Sequence, residues 1–254
     1  MHKEQRWNDI LEIIRNHNGT IDAQELSRML NISGATIRRD LKDMEELNMI
    51  TRYHGGAMLT SSQYDEPSMI IKKSQNSDVK KRIGLTAARL IQDNQMVYLD
   101  AGSTTYEMIP YIKAKNITVV TSGVPHLSRL GEMNINTIVL GGALYWSTEA
   151  IVGRHAIEQL SELYFDIAFV GTNGINARQG YSTSNEMEAE TKAMAIHHAN
   201  HAYIVSDHSK FDQLRPASFA TLKDAAIITD TIPDSYKDIM QYMTIHGESN
   251  MEQE

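Results

Sequence analysis

The chain has 254 residues, a net charge of −8 and no cysteine. That length suffices for one large domain or two smaller ones with proper cores. The missing thiols exclude disulfides and thiolate metal sites, the acidic balance excludes a protein coated in positive charge for non-specific nucleic-acid binding, and no apolar run is long enough to span a bilayer. Charges interrupt the apolar positions of Met1–Gly19, so the segment lacks the core of a secretion signal, and a cytoplasmic location is expected.

Trp7, Ile10, Leu11 and Ile14 recur at helical spacing and predict an amphipathic first helix. Asn18-Gly19 ends it with residues able to take positive φ. Asp22-Ala-Gln-Glu25 has the form of a capping box opening a short helix with Leu26, Met29 and Leu30 inward. Ser33 is placed to cap a third helix whose inward positions are Ile37, Leu41, Met44 and Leu47. The alternating segment Met49–Ala57, closed by two glycines, predicts a small hairpin. Residues 1–58 thus form a helical unit with a wing, and the polar, aperiodic residues 59–76 read as a linker.

Beyond it, short apolar strands alternate with helices. The strands are expected at 96–100, 117–121, 137–140, 167–170, 202–205 and 226–229. Continuous apolar strands between helices mean a mostly parallel sheet covered on both faces, so 77–235 is expected to be a doubly wound α/β domain. Residues 236–254 read as a C-terminal tail, polar and expected to fray after Met243.

If the second and third helices form a helix-turn-helix, the third reads DNA. Its outward face carries Thr36, Arg38, Arg39 and Lys42, led by Ser33; Arg52 and His54 lie on the wing. Arginine forks bond guanine or phosphate, and a helix start with hydroxyls binds phosphate. Over the whole segment, however, cations and anions nearly cancel. Charge alone leaves open a solvated helix face and a winged helix that binds protein.

In the second domain, Asp100-Ala-Gly102-Ser103-Thr104-Thr105 follows a strand and opens a helix. First-turn amides and three hydroxyls can surround a phosphate, although plain N-capping uses the same residues. Ligands of open α/β sheets bind at the C-terminal ends of the strands. The loops there contain Thr121-Ser122, Gly141-Gly142, Asn173-Gly174 and Asp207 through Lys210, and Lys192 and Lys210 offer positive charge. Singly, each lysine reads as a solvated side chain. His197 and His201 have a four-residue spacing, but no third ligand is evident. No metal site, catalytic residue or cofactor is expected.

The run Ser33-x-x-Thr36-Ile37-Arg38-Arg39-Asp40-Leu41, with Glu45 and Arg52-x-His54-Gly-Gly-Ala57, resembles the signature of the DeoR family of bacterial regulators. The similarity continues through the Asp100–Thr105 segment, Gly141-Gly142, Phe169-x-Gly171 with Asn173-Gly174, Glu188, Lys192, Asp207-x-Ser-Lys-Phe211 and Ile228-Thr-Asp230. It implies that Thr36, Arg38, Arg39 and Lys42 have a DNA role, with Asp40 orienting arginines or capping. It further implies that the second domain has a fold similar to sugar-phosphate isomerases and binds a phosphorylated sugar that alters operator binding. Thr121-Ser122-Gly123 and His208 depart from the family's commonest pattern.

The resulting expectation is a transcriptional regulator of a sugar-metabolism operon, most simply a repressor, and not an enzyme. It should act as a homodimer or higher homo-oligomer, because one short reading helix contacts few base pairs. The rival reading is an isomerase with a DNA-binding appendage, Glu188 as base and Lys192 as its electrostatic partner. A reading helix paired with a wing favours regulation, since an isomerase needs neither.

Overall fold

The computed structural model describes residues 3–17, 20–47, 49–53, 55–59 and 69–250. The chain divides into two compact units, Met1–Gln75 and Asn76–Glu254.

The first unit runs α1 (Lys3–Asn16), β1 (Thr20–Asp22), α2 (Ala23–Leu30), α3 (Gly34–Glu46), β2 (Ile50–Tyr53), β3 (Gly56–Leu59) and α4 (Met69–Ser74). The strands form an antiparallel sheet in the order β1-β3-β2. The two glycines of the wing do different work. Gly55, at φ +102°, turns the hairpin, whereas a Cβ on Gly56 would lie 2.3 Å from the Ile21 carbonyl and bar β1 from the sheet. The apolar stripe of α1 packs on Leu26, Ile37, Leu41 and Met44. Asp22 caps α2 by accepting from the Gln24 amide at 2.7 Å. The Asn18-Gly19 stop lies outside the described residues.

Two residues expected inside this core are not. Met29 is 50% and Leu47 46% exposed. Leu26 and Leu30, the other two expected inward on α2, do pack in or against the core. Leu47 is the residue after the last turn of α3, where the backbone leaves the helix and the inward stripe ends. The stretch expected as linker also holds α4, where Asn8 donates to Ser74 at 2.7 Å.

The second unit contains α5 (Ser77–Ala88), β4 (Met96–Leu99), α6 (Ser103–Met108), β5 (Thr118–Thr121), α7 (His126–Glu132), β6 (Asn136–Val139), β7 (Ala143–Tyr145), β8 (Ala150–Val152), α8 (Arg154–Ser161), β9 (Phe165–Val170), β10 (Gly174–Asn176), β11 (Gly180–Thr183), α9 (Glu186–His197), β12 (Ala199–Val205), β13 (Ala217–Ala220), β14 (Ala226–Thr229), α10 (Asp234–Lys237) and β15 (Tyr242–Thr244). Seven strands form one parallel sheet in the order β15-β14-β12-β9-β4-β5-β6. Alternate residues of each strand face opposite cores. Val97, Leu99 and Phe169 pack with α5, α6 and α7; Tyr98, Ala168 and Ile204 pack with α8, α9 and α10. This is the doubly wound arrangement expected from continuous apolar strands.

The expected polar tail is a correction. Tyr242–Thr244 is a seventh strand, parallel to β14. Asn250 fastens it, accepting from the Tyr242 amide at 2.8 Å and donating to the Lys237 and Met240 carbonyls at 3.1 and 3.0 Å. The antiparallel sheet β10-β11-β13 and the hairpin β7-β8 were likewise not foreseen.

Asp40 is the main polar tie within the first unit. Only 3% exposed, it accepts from Arg6 Nε at 2.5 Å, Arg6 Nη2 at 2.9 Å and Trp7 Nε1 at 3.0 Å. These bonds fix α3 to α1, so the reading face has one orientation. Removing one partner of a buried ion pair strands the other. Asp40→Ala should therefore destabilise the first unit by about 3–5 kcal/mol. Urea unfolding followed through Trp7 would measure this; a change below about 1 kcal/mol would show that the tie is dispensable.

Candidate DNA-reading helix and ligand site

The first turn of α3 is fixed by its own side chains. Ser33 Oγ accepts from the Thr36 amide at 3.2 Å and lies 2.8 Å from the Thr36 hydroxyl. Arg38, Arg39 and Lys42 are exposed on the face opposite Ile37, Leu41 and Met44. Among the described residues, Arg38 and Arg39 make no ion pair, so both guanidinium groups are available. Lys42 pairs with Glu46 at 3.6 Å, a surface contact of little worth. Glu45 ties the wing to the helix by accepting from the Arg52 amide at 2.9 Å and pairing with its guanidinium at 3.6 Å. Asp40 does hold an arginine, but it is Arg6 of α1 rather than one on the reading face. His54 lies outside the described residues.

In the second unit the strand-end loops contain two polar clusters. The first centres on Asp100, at the end of β4 and 2% exposed. Its Oδ2 accepts from the Gly171 amide at 2.9 Å and from buried Lys192 Nζ. Oδ1 makes no hydrogen bond among the described residues. The nearby Tyr98 phenol, donating to Ser122 at 3.3 Å, is held protonated: burial pushes its pKa up and the charge of Asp100 pushes it further. Ser103 and Thr104 are each 7% exposed, yet their hydroxyls bond nothing among the described residues.

Other expected ligand residues are occupied by the fold. Thr105 donates to the Asp100 carbonyl at 2.6 Å and lies 3.1 Å from His126 Nε2. Thr121 donates to the Leu99 carbonyl at 2.6 Å, and Ser122 accepts from the Ala101 amide at 3.2 Å. These hydroxyls shape the Asp100–Gly102 turn. The Gly141 amide is taken by Gln159 at 3.1 Å, and a Cβ on Gly142 would lie 2.6 Å from the Val152 carbonyl. Asn173 donates to Thr183 at 3.0 Å. Gly174 has no room for a side chain, because its Cβ would lie 2.5 Å from the Gln213 carbonyl.

The second cluster centres on Asp207, at the end of β12. It accepts from the Ser209 amide at 3.0 Å, the Ser209 hydroxyl at 2.5 Å and Asn76 Nδ2 at 3.2 Å. Burial opposes its ionisation, but Ser209 and the charges of Lys210 and Lys80 outweigh burial and hold the carboxyl below its ordinary value. Next to it, Asp230 accepts from the His208 amide at 2.8 Å and lies 2.6 Å from His208 Nδ1.

Lys80, Thr148 and Thr183 were not foreseen. Lys80 lies three and seven residues before Ile83 and Ala87 on the buried face of α5, and a charge on an apolar stripe is the signal that would have found it. Thr148 and Thr183 both donate to Glu188, Thr183 at 3.1 Å, and only folding reveals that. Among the described residues, no group of three or more His, Asp or Glu is placed to hold a metal, and no helix is long and apolar enough to cross a membrane.

A DeoR-like helix-turn-helix domain matches residues 6–63, and a DeoR C-terminal sensor domain matches residues 75–231. The chain belongs to the DeoR family. As a member it is a DNA-binding transcriptional regulator. An HTH-type transcriptional regulator FruR from Bacillus subtilis, itself described as uncharacterized, is 38% identical over 95% of this chain and 96% of its own length. The regulator GlpR of Haloferax volcanii is 32% identical over 91% of both chains. A lactose phosphotransferase system repressor from Streptococcus mutans is 32% identical over 92% of this chain and 94% of its own. Among solved structures, ribose 5-phosphate isomerase from Plasmodium falciparum resembles 57% of this DeoR-family chain at 16% identity and a TM-score of 0.40. The delta subunit of eIF2B from Chaetomium thermophilum resembles 55% at 14% identity and a TM-score of 0.41. The chain spans about half the length of each of these two structures.

Folding lowers the Asp207 carboxyl, so below its ordinary value of 3.8 the unfolded chain binds more protons than the folded one. Its contribution is complete above that value and fades as pH falls through the lowered folded value. Asp207→Asn should remove this part of the acid sensitivity. Unfolding free energies measured between about pH 5 and pH 2 should then fall less steeply in the variant. Parallel profiles would show that Asp207 is not linked to folding.

Proposed function

We propose that the protein is a cytoplasmic repressor of a sugar-metabolism operon, released or retained on its operator by a phosphorylated sugar. Operator contact is assigned to Ser33, Thr36, Arg38, Arg39 and Lys42 on α3, with Arg52 and His54 on the wing. The effector is assigned to the strand ends around Asp100.

The carrying observation is the set of unused groups beside a neutralised ion pair. Among the described residues, the hydroxyls of nearly buried Ser103 and Thr104 and the Oδ1 of Asp100 have no hydrogen-bond partner. None of the three is among the fully buried unpartnered atoms, so together they offer a ligand two hydroxyls and an acceptor at the strand ends. Lys192 cancels the Asp100 charge, which lets an anion approach. A phosphate suits the two hydroxyls and the first-turn amides of α6; sugar hydroxyls suit the Asp100 acceptor. A relative's name joins lactose, phosphate transfer and repression, which supports the same reading.

The isomerase reading fares worse. Glu188, its base, is buried and accepts from two threonines, a positioning arrangement. Homo-oligomerisation through the second unit is supported by the edge strand β6, whose four side chains are all exposed, including Ile138 at 40% and Val139 at 45%.

Arg38→Ala should cost about 1–3 kcal/mol of operator discrimination if Arg38 forks onto a guanine. Ser103→Ala with Thr104→Ala should leave ligand-free operator affinity unchanged and abolish the response to sugar phosphates. Fluorescence anisotropy on an operator duplex reads both. A double variant that responds at the wild-type concentration would place the phosphate elsewhere.

A further inference from the structure

The turn between β7 and β8 holds Thr148, which donates to Glu188, beside two residues without such a role. Trp146 at its start is 80% exposed, although the other tryptophan, Trp7, is 7% exposed. Ser147 Oγ is buried and has no hydrogen-bond partner among the described residues. Glu149 holds a left-handed backbone, φ +53°, that a non-glycine residue adopts only under constraint.

Both ends of this turn are fastened to the effector site. Before it, Tyr145 packs on Ala101, the residue after Asp100, together with Ala150 and Val152. After it, Thr148 donates to Glu188, one helical turn before Lys192 on α9. The Glu149 carbonyl also accepts from the Val124 amide at 3.0 Å, in the loop after β5. The turn therefore runs from the Asp100 side of the ion pair to the Lys192 side.

We propose that residues 146–148 form a strap over the effector, with the Trp146 ring as an apolar wall against the carbon skeleton of the sugar and Ser147 Oγ bonded to one of its hydroxyls. The proposal rests on the effector site assigned above. An exposed indole leaves apolar surface in water, and an unpaired buried hydroxyl keeps an uncompensated desolvation penalty. Ligand sites combine apolar walls with a few placed polar groups, and a polyol monophosphate satisfies both residues at once.

The test uses the full chain with fructose 1-phosphate, glucose 6-phosphate and galactose 6-phosphate, each beside its unphosphorylated sugar. A sugar phosphate that raises the melting temperature should also blue-shift tryptophan emission and protect it from iodide. Trp146→Phe should lose that signal while retaining most of the affinity. Trp146→Ala should weaken binding of the sugar phosphate about tenfold, and ligand-free operator affinity should stay unchanged. Ser147→Ala should weaken it too. A stabilising ligand that leaves the emission unchanged and binds Trp146→Ala equally well overturns the strap and leaves the effector site standing. Loss of oligomer in Trp146→Ala by light scattering makes Trp146 a subunit contact and overturns it as well. If no sugar phosphate stabilises the chain, the effector reading fails and the strap with it.

Discussion

The sensing unit depends on one buried charge pair, Asp100 with Lys192, at the C-terminal end of the interior strand β4. A carboxylate and an ammonium taken out of water repay their desolvation only when geometry and further hydrogen bonds are good, and a well-packed apolar pair would often serve stability better. Here Gly171 supplies an amide to the same oxygen, and the Tyr98 phenol is kept protonated beside it. The pair joins the end of β4 to α9 in the covering layer, so it fixes a strand end against a helix. It also leaves a polar, nearly neutral floor. A floor of that kind discriminates between ligands by hydrogen bonding rather than by net charge.

Much of this was legible in the chain. Alternate burial along β4, β9 and β12 follows from continuous apolar runs, and the Asp100–Thr105 segment announced a polar strand–turn–helix. The roles within that segment were not legible. Ser103, Thr104 and Thr105 look equivalent in sequence, yet Thr105 turns back onto the Asp100 carbonyl while the other two stay unbonded. Which hydroxyl is structural depends on its position around the first turn of α6, which spacing along the chain does not show. Nor were the backbone bonds of Thr121 and Ser122 legible: short hydroxyl side chains near strand ends also bond backbone. The strand at Tyr242–Thr244 escaped notice because three residues are too few to show a period, and its anchor, Asn250, lies outside it.

In the DNA-reading unit the division of labour among charges explains why a near-neutral segment can still read DNA. Asp40, Asp43 and Glu45 are each committed to a partner within the unit, Arg6, Lys3 and Arg52. Asp43 is held below its ordinary pKa chiefly by its bond to Lys3. The acids thus anchor α1 and the wing, while Arg38 and Arg39 keep their donors. The net charge of the segment conceals a segregation that the fold makes visible.

The central claim is that occupancy of the strand-end site and occupancy of DNA share one equilibrium. Reciprocal linkage tests it most directly. The affinity for a duplex selected by the protein from a random pool is measured with and without a stabilising sugar phosphate. The affinity for that sugar phosphate is then measured by calorimetry with and without the duplex. The account predicts the same factor in both directions, about fivefold or more. A factor of one in both, with each ligand still binding, would contradict it, because the two units would then bind independently.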